Sequence, residues 1–157
     1  MAAAARSLGI ALRVLKASSD RDLDLAFGEL DALNAAGLVI APDPFFIGRT
    51  TRLAALALAH RTPAIFQYRE FVAAGGLASY AGNPMEGYRL MGLYVARILR
   101  GENAAELPVQ QYGKLELIIN LNTAKRLGLT IPRHLLIEAD EVIENHSDSC
   151  ISFACGA

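Results

Sequence analysis

Aromatic and charged side chains cluster directly after three short apolar runs in the first half of this chain. The side chains concerned are Asp43, Phe45, Phe46, Tyr68, Arg69, Glu70 and Tyr80. A carboxylate accepts hydrogen bonds from a ligand amine or hydroxyl, and a guanidinium holds a carboxylate through two hydrogen bonds. Aromatic rings add a flat apolar wall. This combination of groups indicates a binding site for a small molecule.

Each of these clusters also has a purely structural interpretation. Asp43 is suited to capping a turn, and the two phenylalanines after it are suited to anchoring the next helix. Arg69 and Glu70 could form a solvent-exposed ion pair, which contributes little stability. Tyr80 could be a core residue. The sequence leaves the first cluster open between the two interpretations, whereas the position of Tyr68 and Arg69 directly after an apolar run favours a binding cleft.

The sequence offers no set of catalytic residues. Ser79 lacks the G-x-S-x-G surroundings of a hydrolase nucleophile, and His60, His134 and His146 are far apart in sequence. His60 falls at a predicted helix end, where stabilisation of the helix terminus is the commoner role. Neither a G-x-G-x-x-G nor a Walker pattern occurs, so nothing supports nucleotide binding. We therefore expect no enzyme activity and no cofactor.

Both cysteines lie near the C-terminus, in the stretch NHSDSCISFACGA. Cys150 and Cys155, with His146 and Asp148, could in principle bind zinc. A structural zinc site needs four well-spaced ligands on ordered backbone, so we expect no metal and a disordered tail over residues 145–157. A solvated surface is also expected for three acidic residues before it: Asp140, Glu141 and Glu144.

Composition limits the class of protein. The chain has 157 residues, which suits one domain, and its hydrophobic fraction of 53% is high for an isolated soluble domain. Its formal net charge is −1 and it has no basic cluster, so a nucleic-acid partner is not expected. No apolar run approaches the roughly 18 residues of a membrane span. We expect no signal peptide in the first residues, because Arg6 and Arg13 interrupt their apolar part.

Short uninterrupted apolar runs are typical of strands buried on both faces of a parallel sheet. The predicted strands are Ala11–Leu15, Leu38–Ala41, Ala64–Gln67, Leu77–Ala81, Leu115–Asn120 and Val142–Ile143. The predicted helices are Ala2–Leu8, a segment from Asp20 to near Gly37, Thr51–His60, Phe71–Ala74, Pro84–Arg100, Thr123–Leu127 and Ile131–Leu136. Their alternation predicts an α/β fold with a mainly parallel sheet. The candidate binding residues follow the carboxyl ends of these strands, where open parallel sheets bind ligands.

Several stretches resemble one known family. They are PDPFF, PAI-F-REF-AGGL-SY, LPVQQ, LELIINL-TAK-LGLTIP and ADEVIE. In this order and at this spacing they are similar to the substrate-binding proteins of an ABC transporter family, which has tryptophan- and tyrosine-type members and the type I periplasmic-binding-protein fold. The resemblance runs from about Ala2 to Glu144 and covers the C-terminal half of a family member.

This resemblance implies that residues 1–144 form the second of two lobes and that a solute is bound by lobe closure. It implies that Asp43 and one of the phenylalanines face the ligand, that an ABC transporter permease is the partner, and that the location is periplasmic. The lack of a signal peptide would instead leave the chain, as written, in the cytoplasm. The aromatic and charged clusters suit a small aromatic or carboxylate-bearing solute. Two alternatives stay open: a small flavodoxin-like enzyme and the sensor domain of a transcription regulator.

The predicted helix at Pro84–Arg100 is apolar over most of its circumference, with its charges in one stripe. Such a helix is expected to be buried on more than one side. The resemblance implies that it packs with the first lobe, whose residues are not in this sequence. We therefore expect a homo-oligomer formed through this helix and through an unpaired sheet edge.

Overall fold

A computed structural model describes residues 2–110 and 115–144. The predicted tail at 145–157, with both cysteines and His146, lies outside the described residues. Five strands form one sheet: β1 (Leu38–Val39), β2 (Ala64–Phe66), β3 (Ala78–Gly82), β4 (Leu115–Asn120) and β5 (Glu141–Ile143). The strand order is β1-β2-β3-β4-β5, so each strand lies beside its neighbour in the chain.

Four of these strands were predicted from buried apolar runs, and β5 from the shorter pair Val142–Ile143. The pairs β1–β2, β2–β3 and β4–β5 are parallel, whereas β3 and β4 are antiparallel. The predicted α/β class with a mainly parallel sheet is therefore confirmed. Because β1, β2 and β3 are parallel, their carboxyl ends share one edge of the sheet, and the reversal between β3 and β4 puts the carboxyl ends of β4 and β5 at the opposite edge.

Two helices precede β1 in the described part of the chain, and the others connect successive strands. The helices are α1 (Ala2–Ser7), α2 (Asp20–Ala32), α3 (Pro44–Ile47), α4 (Thr50–Ala59), α5 (Arg69–Ala73), α6 (Pro84–Leu99), α7 (Leu121–Arg126) and α8 (Arg133–Glu138), with a 3-10 turn at Ala104–Glu106. Asn83 caps α6, because its side chain accepts a hydrogen bond from the Met85 backbone N–H. Ser19 caps α2 in the same way, with its side chain accepting from the Asp22 backbone N–H.

The main core lies between the sheet and the helices α2, α4 and α5. Its largest fully buried side chains are Phe66 of β2, Leu53 of α4, and Phe71 and Val72 of α5. Phe66 meets Phe71 edge-on with ring centroids 5.9 Å apart. Phe27 of α2 joins the same cluster, so three helices cover one face of the sheet.

Ion pairs hold α2 against the segment that follows β1. Arg49 pairs with Asp20, and Arg52 Nη2 lies 2.8 Å from Asp24 Oδ1. His60, at the end of α4, places its Nδ1 2.6 Å from an Asp31 carboxylate oxygen. All of these side chains are partly exposed, so the pairs fix orientation more than they add stability.

The predicted strand at Ala11–Leu15 is wrong. These residues form neither a helix nor a strand, and Val14 is 71% exposed. Arg13 instead reaches across to Glu29 of α2, with Nε and Oε1 3.7 Å apart. The reason is that an apolar run becomes a strand only where another strand pairs with its backbone, and within the described residues nothing pairs with this segment.

Two further differences are local. The short helix α3 was not predicted; Pro44 occupies its first turn. The helix predicted at Ile131–Leu136 begins after Pro132 and runs to Glu138. Within residues 2–110 and 115–144, no helix has both the length and the apolar content needed to cross a membrane.

Candidate functional site

The candidate site is the edge of the sheet at the carboxyl ends of β1 and β2, which we call the strand-end edge. It consists of residues 42–47, which lead from β1 through α3, and residues 67–70, which lead from β2 into α5. The two strands are parallel and hydrogen-bonded, with Val39 opposite Ile65. The two segments therefore lie side by side, and six of the seven predicted binding residues belong to them.

Asp43 caps the helix that follows β1. One carboxylate oxygen, Oδ1, accepts a hydrogen bond from the Phe45 backbone N–H at 2.8 Å. Asp43 is exposed and forms no ion pair among the described residues. The capping role that the sequence left open is thus present, and the second carboxylate oxygen faces no described cation.

The two phenylalanines are half-buried and pack against the core. Their rings meet edge-on with centroids 5.4 Å apart. The guanidinium of Arg49 lies over the Phe45 ring at 3.9 Å from its centroid, and its Nη1 donates to the Phe45 carbonyl. One face of Phe45 is therefore already covered, which makes Phe46 the better placed of the two rings for a ligand.

Tyr68 and Arg69 follow β2 at the start of α5. Tyr68 is half-buried, and its ring meets Phe66 edge-on at 5.3 Å. Arg69 reaches across the sheet to β5, where its Nε and Nη2 donate to the two carboxylate oxygens of Glu141 at 3.0 and 2.6 Å. This bidentate pair raises the pKa of Arg69, first through the hydrogen bonds and then through the charge of Glu141. Glu70 is exposed beside it in the first turn of α5.

Tyr80 lies apart from the other predicted residues. Ser79 is buried on the face that carries α5, because it is the register partner of Phe66. Adjacent strand residues point to opposite faces, so Tyr80 lies on the other face of the sheet, where it is 52% exposed. The structure thus brings Asp43, the phenylalanines, Tyr68, Arg69 and Glu70 to one edge, and it does not bring Tyr80 to them.

Two residues of this neighbourhood were missed by the sequence analysis. Glu141 was grouped with a solvated acidic end, and Arg49 was not singled out at all. No signal in the sequence could have found the Glu141 contact, because it depends on the register of β4 with β5. Among residues 2–110 and 115–144, no three His, Cys, Asp or Glu side chains are grouped closely enough to hold a metal ion.

The fold and the strand-end edge together define a lobe of the periplasmic-binding-protein class. A family model described as ABC transporter substrate binding protein matches residues 1–143, and the chain belongs to that family. The resemblance seen in the sequence is therefore confirmed. The family is one of binding proteins, not of enzymes. No curated protein sequence matches the chain.

Three solved structures share this fold. A conserved domain protein from Vibrio cholerae superposes with a TM-score of 0.81 at 25% identity, covering 90% of this chain and 48% of that one. An ABC domain from Streptococcus pneumonia in complex with L-Trp gives 0.78 at 22% identity, with 90% and 49% covered. The ligand-free, open structure of a substrate binding protein with adhesive properties from Clostridium difficile gives 0.65 at 19%, with 90% and 47% covered. The chain spans about half the length of these structures.

Proposed function

We propose that this chain is one lobe of an ABC transporter solute-binding protein and that it captures a small aromatic or carboxylate-bearing solute at the strand-end edge. The observation that carries the proposal is the convergence of Asp43, Phe46, Tyr68 and Arg69 after two parallel strands in a chain of a substrate-binding family. The solute is captured by closure of two lobes. It is then passed, on the periplasmic side of the inner membrane, to the permease of the transporter.

The chemistry of the edge suits a ligand with a ring and two opposite charges. Phe46 and Tyr68 supply half-buried rings that can line one wall of a cleft. The free carboxylate oxygen of Asp43 suits an ammonium group. An aromatic amino acid carries all of these features. L-Trp, which the Streptococcus structure contains, is therefore a rational first probe.

A ligand carboxylate would meet Arg69 in competition with Glu141. Two of the five guanidinium N–H donors are used by Glu141, and the Arg69 side chain is 56% exposed. A ligand carboxylate can therefore accept from the remaining N–H donors or displace Glu141 from the guanidinium group. Either way, Glu141 sets how much of the guanidinium charge is available to a solute.

Calorimetric titration of the chain with aromatic, aliphatic and acidic amino acids tests the proposal. Arg69→Ala should lose binding of the preferred solute, whereas Glu141→Gln breaks the same ion pair but keeps the guanidinium and should bind as well as or better than wild type. Tyr68→Ala should weaken binding of aromatic solutes most. Arg52→Ala, which removes the exposed ion pair with Asp24 and leaves residues 42–47 and 67–70 unchanged, is the control.

The outcomes separate a binding role from a structural one. If Arg69→Ala and Glu141→Gln weaken binding equally, Arg69 acts by tying α5 to β5 and not by touching the solute. Wild-type affinity in both Arg69→Ala and Tyr68→Ala would refute the site assignment. If no solute of the panel binds the wild-type chain, the solute class is wrong.

A further inference from the structure

The strand-end edge carries an excess of negative charge. Its two segments contain two carboxylates, Asp43 and Glu70, and a single cation, Arg69. A third carboxylate, Glu141 at the start of β5, already holds this cation through both of its oxygens. The charge that this lobe presents to a solute is therefore mainly negative.

The guanidinium of Arg69 is flanked by two carboxylates. Glu141 raises the pKa of Arg69 through its hydrogen bonds and its charge, and the charge of Glu70 adds a smaller effect. The N–H donors that Glu141 leaves unused can still bind an acceptor on a solute. A solute carboxylate at these donors would bring a further negative charge close to Glu141 and Glu70, whereas an amide carbonyl oxygen accepts the same hydrogen bond without that repulsion.

Asp43 offers a carboxylate oxygen to a cation. Its Oδ1 accepts from the Phe45 backbone N–H at 2.8 Å, and Asp43 forms no ion pair among the described residues. The cation nearest to it in sequence, Arg49, is paired with Asp20 and lies over the Phe45 ring. A compact cation such as an ammonium group on a solute can therefore bind Asp43 without competition from Arg49.

Asp43 and Arg69 stand at matching places on neighbouring chains. Val39 and Ile65 are register partners, and Asp43 lies four residues beyond the first as Arg69 lies four residues beyond the second. Neighbouring strands are about 4.8 Å apart, a gap that a solute of the size of an aromatic amino acid spans. The aromatic rings of the same two segments add to the preference for a cation, because ring faces attract positive charge.

We propose that the strand-end edge prefers an aromatic amine of net positive charge, whose second polar group is a neutral acceptor such as an amide carbonyl, over the free amino acid. This inference rests on the proposed solute-binding function and narrows its solute class. Asp43 binds the ammonium group, and the remaining N–H donors of Arg69 bind the neutral acceptor. The free amino acid also binds, but less tightly, because Glu141 and Glu70 repel its carboxylate.

Calorimetric titration of the whole chain with three indole compounds tests the preference. L-tryptophan amide, L-Trp and indole-3-propionate share one ring, and their net charges at about pH 6 are about +1, 0 and −1. The affinity should fall in this order, by about fivefold at each step, which is the magnitude of one partly exposed charge–charge contact.

Two variants separate the contributions of the carboxylates. Asp43→Asn removes the charge but keeps a side-chain oxygen for the Phe45 backbone N–H, so the helix cap is kept. It should weaken binding of L-tryptophan amide and of L-Trp about fivefold and should not weaken binding of indole-3-propionate. Glu141→Gln releases the charge of Arg69 and should bring the dissociation constants of L-Trp and its amide to within about twofold of each other.

Glu29→Gln is the matched control, because it removes the same charge from an exposed position on α2. Glu29 lies nine residues after Asp20 in the same helix, which is about 14 Å along the helix axis and longer than the screening length of about 8 Å at physiological salt. This variant should keep the wild-type ratios of the three dissociation constants. Circular dichroism of each variant checks that the fold is kept.

The outcomes separate this inference from the proposed function. A wild-type chain that binds L-Trp as tightly as its amide, or more tightly, overturns the inference and leaves the solute-binding function in place. Equal weakening of all three probes by Asp43→Asn, or an unchanged preference in Glu141→Gln, overturns it as well. If none of the three probes binds the wild-type chain, the proposed aromatic solute class falls and the inference falls with it.

Discussion

Gly76 is the position at which one added methyl group should cost the most. At the end of α5 the chain turns back sharply: Gly75 adopts a φ of 101°, and the Gly76 backbone N–H donates to the Phe71 carbonyl at 2.8 Å. This turn brings the Gly76 Cα against the Phe71 ring. A Cβ at Gly76 would lie 2.3 Å from two carbons of that ring and 2.7 Å from a third.

The ring cannot move away cheaply. Carbon atoms pack best at about 3.5–4.0 Å, so the methyl group would be more than 1 Å too close. Phe71 is 0% exposed and is held edge-on by Phe66. Overpacking of this kind typically costs about 1–3 kcal/mol, and we expect Gly76→Ala to destabilise the fold by about 3 kcal/mol. For a chain of this length that lowers the melting temperature by roughly 6–12 °C.

Urea unfolding followed by circular dichroism measures this cost, with all variants at one protein concentration. Gly28→Ala, within α2 and with nothing within 4 Å of the added methyl group, is the matched control and should stabilise by about 0.5–1 kcal/mol. Phe71→Leu should be less costly in the Gly76→Ala background than alone, with a coupling of about 1 kcal/mol or more. A Gly76→Ala chain within about 0.5 kcal/mol of wild type would refute the reasoning.

Two further predictions concern polar side chains. Asn120→Ala should destabilise the fold by about 2 kcal/mol in the same urea assay. The buried Asn120 side chain accepts a hydrogen bond from the Thr123 backbone N–H at 3.0 Å and donates one to the Val72 carbonyl at 3.2 Å. A change of about 0.3 kcal/mol or less would contradict this role. Hydrogen bonds from the Ser18 backbone and from the Ser19 and Ser18 side chains lower the pKa of Asp22 below its usual value. Asp22 therefore stabilises the fold above the unfolded pKa of about 3.9, and this contribution is lost as the pH falls through the folded pKa. The melting temperature, measured between pH 7 and pH 2, should therefore fall less steeply with acid in Asp22→Asn than in wild type. Parallel curves of melting temperature against pH would contradict the assignment.

The strands were predictable because their apolar runs are local features of the sequence. The runs at Leu38–Ala41 and Ala64–Gln67 contain hardly any polar residue, but the burial on both faces that such runs predict is not found in β1, where Val39 is 62% exposed. Asn83 and Pro84 likewise mark the start of α6 through side-chain chemistry that needs no distant partner. A strand also needs another strand to pair with its backbone. For Ala11–Leu15, composition alone could not show whether such a strand is present.

The candidate site was predictable in position but not in its contacts. That Asp43 and Tyr68 follow parallel strands can be worked out from the chain order, and this places both at one edge. The pairing of Arg69 with Glu141 joins residues 72 positions apart and depends on which strand lies beside β4. The position of Tyr80 was unpredictable for the same reason, because the face of the sheet on which it lies follows from the register of β3. The binding roles of these residues remain predictions.

The antiparallel pairing of β3 with β4 makes α6 separable from the sheet. Gly82 and Leu115 are register partners, so the chain leaves the sheet and returns to it at adjacent points. A tight two-residue turn could join these points as an ordinary hairpin and omit α6 entirely. Since closing a longer loop adds little entropic cost, the sheet tolerates either a short or a long connection here. The helix α6 is in this sense an interchangeable insertion, which could be shortened, exchanged or grafted while the strand-end edge is kept.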